Sequence, residues 1–159
     1  VMASGLTQFK ALVLAGLIGL GLGLQHSGAK ANQTGVLVVA GGCFWCVESD
    51  FEGVRGVSEV VSGFTGGTVD NPTYKQVTSG NTGHYEAVQI FYNPDQITPL
   101  QLYSMFFRSV DPTDDGGQFC DRGSSYRTAI FVADGVERSA AQTALTNAQR
   151  ELGKVVVTP

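Results

Sequence analysis

Two cysteines three residues apart, Cys43 and Cys46, flank Phe44 and Trp45 in the stretch "GGCFWCVE", directly after the apolar run "VLVVA". The chain holds only three cysteines, the third being Cys120. A cysteine at a strand-to-helix turn meets unpaired backbone N–H groups and the positive end of the helix dipole, both of which favour the reactive thiolate. Cys43 is thus placed to be a nucleophile, with Gly41 and Gly42 clearing the approach to its sulfur; the plainer reading is an inert buried thiol opening a helix. Cys46, one helical turn on, lies within disulfide range of it. The same C-x-x-C spacing also serves half of many zinc sites. No second pair exists, however, and beyond residue 31 only His84 and Cys120 remain as further soft ligands, so no metal is expected.

The other informative group is Glu86, in "HYEAVQIFY" (84–92). In a strand it shares a face with Val88 and Ile90. If that face is the core, desolvation raises its pKa and leaves a carboxylic acid able to give a proton; the alternative is an edge-strand glutamate leaning into water. Tyr74, Asp121, Tyr126 and Arg127 fall in or beside irregular segments and say little singly. Phe44 and Trp45 are core residues, or else walls of a pocket for a small apolar group beside the nucleophile.

The elements that must position these residues follow from periodicity. "VLVVA" (36–40) reads as a buried strand, and Phe44, Val47 and Phe51 mark a helix from Cys43 that Gly53 stops. Strands are expected at 56–64, 84–92 and 126–133, with a possible last one at "KVVV". Thr98 caps a helix with Pro99 at its first position and an apolar stripe of Leu100, Tyr103, Phe107 and Val110. Asp134 and Glu137 resemble a capping box ahead of an alanine-rich helix over 135–152, closed by Gly153. The segment 111–125 has no period and is too long for a mere connector, which invites a functional reading as a flexible loop. Strands alternating with single helices imply an α/β (α+β) two-layer sandwich built on a mixed sheet.

At 159 residues with 43% hydrophobic and 15% charged composition, the chain has room for one domain with a real core. Its formal charge of −4 offers no basic surface for nucleic acid. Lys10 precedes the uncharged run "ALVLAGLIGLGLGL" (11–24), short for a bilayer span and the right size for a signal-peptide core. Ala29 and Ala31 then supply a small-x-small cleavage pattern. Residues 1–31 are expected to be a signal peptide and 32–159 the functional domain, exported to a periplasm, or tethered to the membrane if the leader is not cleaved. Three cysteines are too few for a disulfide scaffold in such a compartment, which points to chemical thiols.

"GCFWCVE", "GFTGGTVDNPTYKQV", "TGHYEAV" and "DRGSSYRTAIF" occur in an order and spacing that closely resemble the A-type peptide methionine sulfoxide reductases, over about residues 36–158. The resemblance implies that family's ferredoxin-like fold and a thiol-dependent reduction of methionine S-sulfoxide, free or within proteins. By the same resemblance Cys43 is the catalytic cysteine and Glu86 the acid that protonates the sulfoxide oxygen. Tyr74 and Tyr126 become the hydroxyls that bind that oxygen, Phe44 and Trp45 the pair enclosing the substrate methyl group, and Asp121 the acid near the substrate backbone. No bound cofactor is implied; thioredoxin, or dithiothreitol in its place, is the reductant, and the chain is expected to act as a monomer.

This sequence departs from the family at three points. Phe64 stands where tyrosine is usual, and Cys120 where asparagine is more common. The chain stops at Pro159, where relatives continue with an aromatic-rich segment that usually carries a recycling cysteine, so a C-terminal truncation is expected. Cys120, on its loop, is slightly favoured over the helix-bound Cys46 as the thiol that resolves a sulfenic acid on Cys43. Two rival readings are a general dithiol oxidoreductase using Cys43 and Cys46, and a metal-binding module using Cys43, Cys46, Cys120 and His84.

Overall fold

The computed structural model describes residues 33–159; the leader expected over 1–31 lies outside the described residues. Strand β1 (Gly35–Gly41) turns Leu37 and Val39 into the core and leaves Val36 and Val38 on the opposite face. It ends at Gly42, whose φ of +88° is a conformation that glycine adopts without strain. Helix α1 (Phe44–Glu52) follows at once, burying Phe44, Val47 and Phe51 at the expected three- and four-residue intervals. Then come β2 (Val57–Thr65), a short helix α2 (Tyr74–Thr78), β3 (Tyr85–Tyr92) and α3 (Pro99–Ser109). The chain closes with a small hairpin of β4 (Gly117–Gln118) and β5 (Asp121–Arg122), a 3₁₀ turn at Ser124–Tyr126, β6 (Thr128–Phe131) and α4 (Gly135–Leu152).

The main sheet runs in the order β2-β3-β1-β6, and each described pair in it is antiparallel. Strands β1 and β2, joined through α1, both lie antiparallel to β3 and so run parallel to each other with β3 inserted between them. Strand β1 separates β3 from β6 in the same way. These two interleaved βαβ units make the split arrangement of ferredoxin-like folds. The two-layer sandwich forms as expected, but the sheet is antiparallel rather than mixed, because each crossover leaves a one-strand gap that the other unit fills. Helices α1 and α3 pack on one face and α4 packs on α3. The core between the layers joins Leu37, Val39, Val88 and Ile90 to Val47, Phe51, Leu102 and Phe106.

Several local expectations are corrected. In α3 the buried stripe is Leu102, Tyr103, Phe106 and Phe107, while Leu100 is exposed: the helix is covered by the sheet and by α4 together, so its apolar arc is wider than one stripe. Tyr126 belongs to the 3₁₀ turn rather than to a strand beginning at 126. "KVVV" forms no strand; Val157 N–H donates to the Pro112 carbonyl, and further on Ile130 N–H donates to that of Pro159. Segment 111–125 is not irregular throughout but carries the β4–β5 hairpin. Its hairpin is braced by a two-toothed ion pair of Arg122 with Asp114 and by the buried Gln118 carboxamide, which accepts from Asp111 N–H and donates to Asp111 O, both at 2.8 Å. No described helix is long and apolar enough to cross a membrane.

Candidate active site

Cys43 is the N-cap of α1, and its carbonyl accepts from the N–H groups of Cys46 and Val47. The next N–H, that of Phe44, is one of the donors every helix start leaves without an intrahelical partner. It donates instead to Oε2 of Glu86 at 3.2 Å. Glu86 lies on the inner face of β3 with Val88 and Ile90, as the alternation implies, and is 1% exposed. Its other oxygen, Oε1, is buried with no hydrogen-bond partner among the described residues. Burial pushes the Glu86 pKa up; the Phe44 N–H pulls it down and the negative charge of Asp121 pushes it up further. Burial is the larger effect, so the carboxyl group is biased toward its neutral, proton-bearing form.

An aromatic wall stands beside this pair. The Phe44 ring contacts Trp45 at 5.2 Å and Phe64 at 5.6 Å between centroids, and Trp45 stacks on Tyr74 at 6.2 Å with the planes 16° apart. Trp45 is 64% exposed and Tyr74 about half exposed, so the outer wall is open to an incoming side chain. Tyr74 begins α2, whose start is fixed by a reciprocal capping box between Thr73 and Gln76. The loop before it is clamped by His84, whose Nδ1 accepts from Gly67 N–H while Nε2 reaches the Val69 carbonyl. That second bond sets the ring's tautomer and occupies the histidine that the metal-binding alternative required. Tyr126 faces the same space: burial, with the neighbouring Glu86, Tyr74 and Asp121, pushes its hydroxyl up to about 12, so it remains a donor.

The β4–β5 hairpin forms the third wall. A Cβ on Gly42 would lie 2.6 Å from Cβ of Gln118, so the hairpin sits directly against the turn that carries Cys43. Asp121 is close enough to raise the pKa values of Glu86, Cys46 and Tyr126. Phe119 and Cys120 occupy the exposed two-residue tip, Phe119 at a φ of +49°. All three cysteines are free thiols. Hydrogen bonding with the Cys43 thiol is the chief cause that pushes the Cys46 thiol up, ahead of burial and of Asp121, so these two sulfurs are neighbours.

The structure therefore gathers Cys43, Cys46, Glu86, Phe44, Trp45, Tyr74, Asp121 and Tyr126 around one helix start, with Cys120 on the adjoining hairpin tip. Sequence reasoning missed Gln118, for which no local signal exists because its partner Gly42 is remote in the chain. It also missed the Glu48 carboxylate, which accepts from the Ser62 hydroxyl between α1 and β2. The α2 capping box is legible in "TYKQ", a stretch to which the sequence analysis assigns no element.

A family model described as peptide methionine sulfoxide reductase matches residues 35–159. A Caulobacter vibrioides protein named peptide methionine sulfoxide reductase MsrA 2 is 50% identical over 131 residues, 82% of this chain and 66% of that protein. The peptide methionine sulfoxide reductase MsrA of Bacillus subtilis is 50% identical over 107 residues, 67% of this chain and 60% of that one. The chain thus spans no more than two thirds of the length of these two relatives. Among solved structures, the reduced form of Mxr1 from Saccharomyces cerevisiae is similar with a TM-score of 0.75 at 28% identity, covering 79% of this chain and 74% of that one.

Proposed function

The chain belongs to the peptide methionine sulfoxide reductase family, and on that premise we propose that it reduces methionine S-sulfoxide, free or in proteins, to methionine. One observation carries this reading: a buried carboxyl group, unpartnered at Oε1 among the described residues, is tied through Oε2 to the peptide N–H that follows the candidate nucleophile. A sulfoxide oxygen leaves sulfur only when it is protonated, so attack by a thiolate needs a neutral acid opposite it. Cys43 supplies the thiolate and Glu86 the proton. Tyr74 and Tyr126 orient the oxygen, Phe44 and Trp45 enclose the methyl group, and Asp121 lies toward the substrate backbone.

The sulfoxide sulfur gains two electrons and departs as methionine, while Cys43 loses two and keeps the oxygen as a sulfenic acid. A second thiol then condenses with it, releasing water and leaving a disulfide that an external dithiol opens. Cys46 is the better placed second thiol, being the neighbour of Cys43. Cys120, favoured on sequence for its supposed flexibility, sits on a braced hairpin and stays as the alternative. A thioredoxin-like protein is the proposed reductant and dithiothreitol its substitute. Action as a monomer is part of the same proposal, tested by the size of the active species in solution. The pattern of residues 10–31 supports export to a periplasm, tested by fusing them to a secretion reporter.

The general dithiol alternative gives Glu86 no task and is not favoured. Offering the two sulfoxide epimers separately, with dithiothreitol, tests the main reading. The S epimer alone should be consumed, and Cys43→Ser should abolish the reaction; equal use of both epimers would overturn it.

A further inference from the structure

Phe64 and Glu86 are directly opposed in the β2–β3 ladder, with both side chains on the inner face of the sheet. Opposed residues in an antiparallel pair bring their side chains within about 5 Å at Cβ. The Phe64 ring continues into Phe44 at 5.6 Å and Tyr74 at 6.5 Å, so it closes the cluster on the β2 side of the carboxyl group. No polar atom is available from this ring, and Oε1 of Glu86 has no partner among the described residues.

The groups around Glu86 come from several elements. From α1 comes the Phe44 N–H, from β5 the Asp121 carboxylate, and from the 3₁₀ turn the Tyr126 hydroxyl, itself beside Tyr74 of α2. Of the three carboxylates of α1, Glu48 is engaged by Ser62 of β2, two residues from Phe64 along the same face. None of these groups is a cation. The neutral state of the acid therefore depends on what fills the space beside it, and on the β2 side that is Phe64.

We propose that Phe64 is a positioning residue that keeps the Glu86 carboxyl group uncharged, by occupying its β2 side with a ring that admits neither water nor a hydrogen-bond donor, and so extends reduction to higher pH. This rests on the proposed reading of Glu86 as the proton donor. A hydroxyl or water at this place would hydrogen-bond to the charged form and favour it. An essential protonated acid then fails at a lower pH, and the alkaline limb of the pH profile moves down.

The test follows sulfenic acid formation in a single turnover with methionine S-sulfoxide across pH, for the wild type, Phe64→Ser, Phe64→Tyr, Phe64→Leu and Glu86→Gln. In parallel, infrared difference spectra follow the carboxylic C=O band that Glu86→Gln removes. Phe64→Ser and Phe64→Tyr should move both the alkaline limb and the disappearance of that band down by about one pH unit, while Phe64→Leu leaves both in place. Phe64→Tyr keeps the ring and covers the case in which the serine variant does not fold. Rates depressed equally at all pH values, with limb and band unmoved, would show that the ring only packs and would overturn the proposal. Failure of the underlying reading looks different: the wild type shows no alkaline limb, or Glu86→Gln reacts like the wild type.

Discussion

Glu86→Gln separates the chemical role of this residue from any structural one. The amide is nearly isosteric with the carboxyl group, and its oxygen can still accept from Phe44 N–H in place of Oε2. Its NH₂ then occupies the position of Oε1, which has no partner among the described residues to lose. A hydrogen bond to the sulfoxide oxygen survives, but proton transfer does not. General acid catalysis contributes about 10²- to 10⁴-fold, and since a donor remains the loss should be ~10²- to 10³-fold, or about 3–4 kcal/mol on the barrier.

Stability should move the other way. Burial raises the folded-state pKa of Glu86 above its unfolded value, so the folded protein holds the proton more tightly. The stability this confers is complete below the unfolded pKa and is lost as pH rises through the raised folded value. Glutamine does not titrate. The variant should therefore fall off less steeply than the wild type over that window in melting temperature against pH, while single-turnover sulfenic acid formation at neutral pH drops as stated. Retention of the wild-type rate within about threefold, well short of the range for general acid catalysis, would refute the assignment of the proton donor. A melting temperature that loses as much on alkalinisation in the variant as in the wild type would refute the burial argument.

Two further outcomes follow from the site. Cys46→Ser should leave the first turnover with S-sulfoxide intact and stop recycling by thioredoxin, whereas Cys120→Ser should recycle normally; the reverse pattern in steady-state turnover would assign the second thiol to Cys120. Gln118→Ala leaves the backbone N–H and C=O of Asp111 without their side-chain partner, which should cost about 2–3 kcal/mol of unfolding free energy in denaturant titrations. It should also slow sulfenic acid formation, because the hairpin that rests on Gly42 and carries Asp121 loses its anchor; an unchanged rate in the folded variant would show that the hairpin does not position the site.

How much of this was legible in the sequence depended on how local each cause is. Alternation in "HYEAVQIFY" ties Glu86 to the face of Val88 and Ile90, and their burial in the structure decides for the core face over the edge-strand alternative. The Gly-Gly break before Cys43 likewise fixed the strand end and the helix start. Segment 111–125 was misread because its order comes from Gln118, Asp114 and Arg122 satisfying one another across the hairpin, and such pairing has no period. The sheet direction was misread for a topological reason, as two interleaved crossovers look in sequence like a plain alternation of strands and helices. The proximity of Cys46 to Cys43 was visible in the spacing, but the bracing of the hairpin that carries Cys120 was not, and that difference shifts the choice of second thiol.

One hydrogen bond ties the two halves of the chemistry together. The peptide N–H of Phe44 is a donor that the helix start cannot use internally, and it belongs to the residue directly after Cys43. By donating to Oε2 it sets the acid at a fixed place relative to the nucleophile, across a sequence gap that no local element spans. The same bond stabilises the carboxylate and so works against the neutral acid, while the larger cost of burying a charge, aided by the negative charge of Asp121, tips the balance toward the proton-bearing form. Registration and protonation thus pull in opposite directions on one carboxyl group. A fold that uses the bond for placement must keep the surroundings dry, and at this site that burden falls on the side chains walling Glu86.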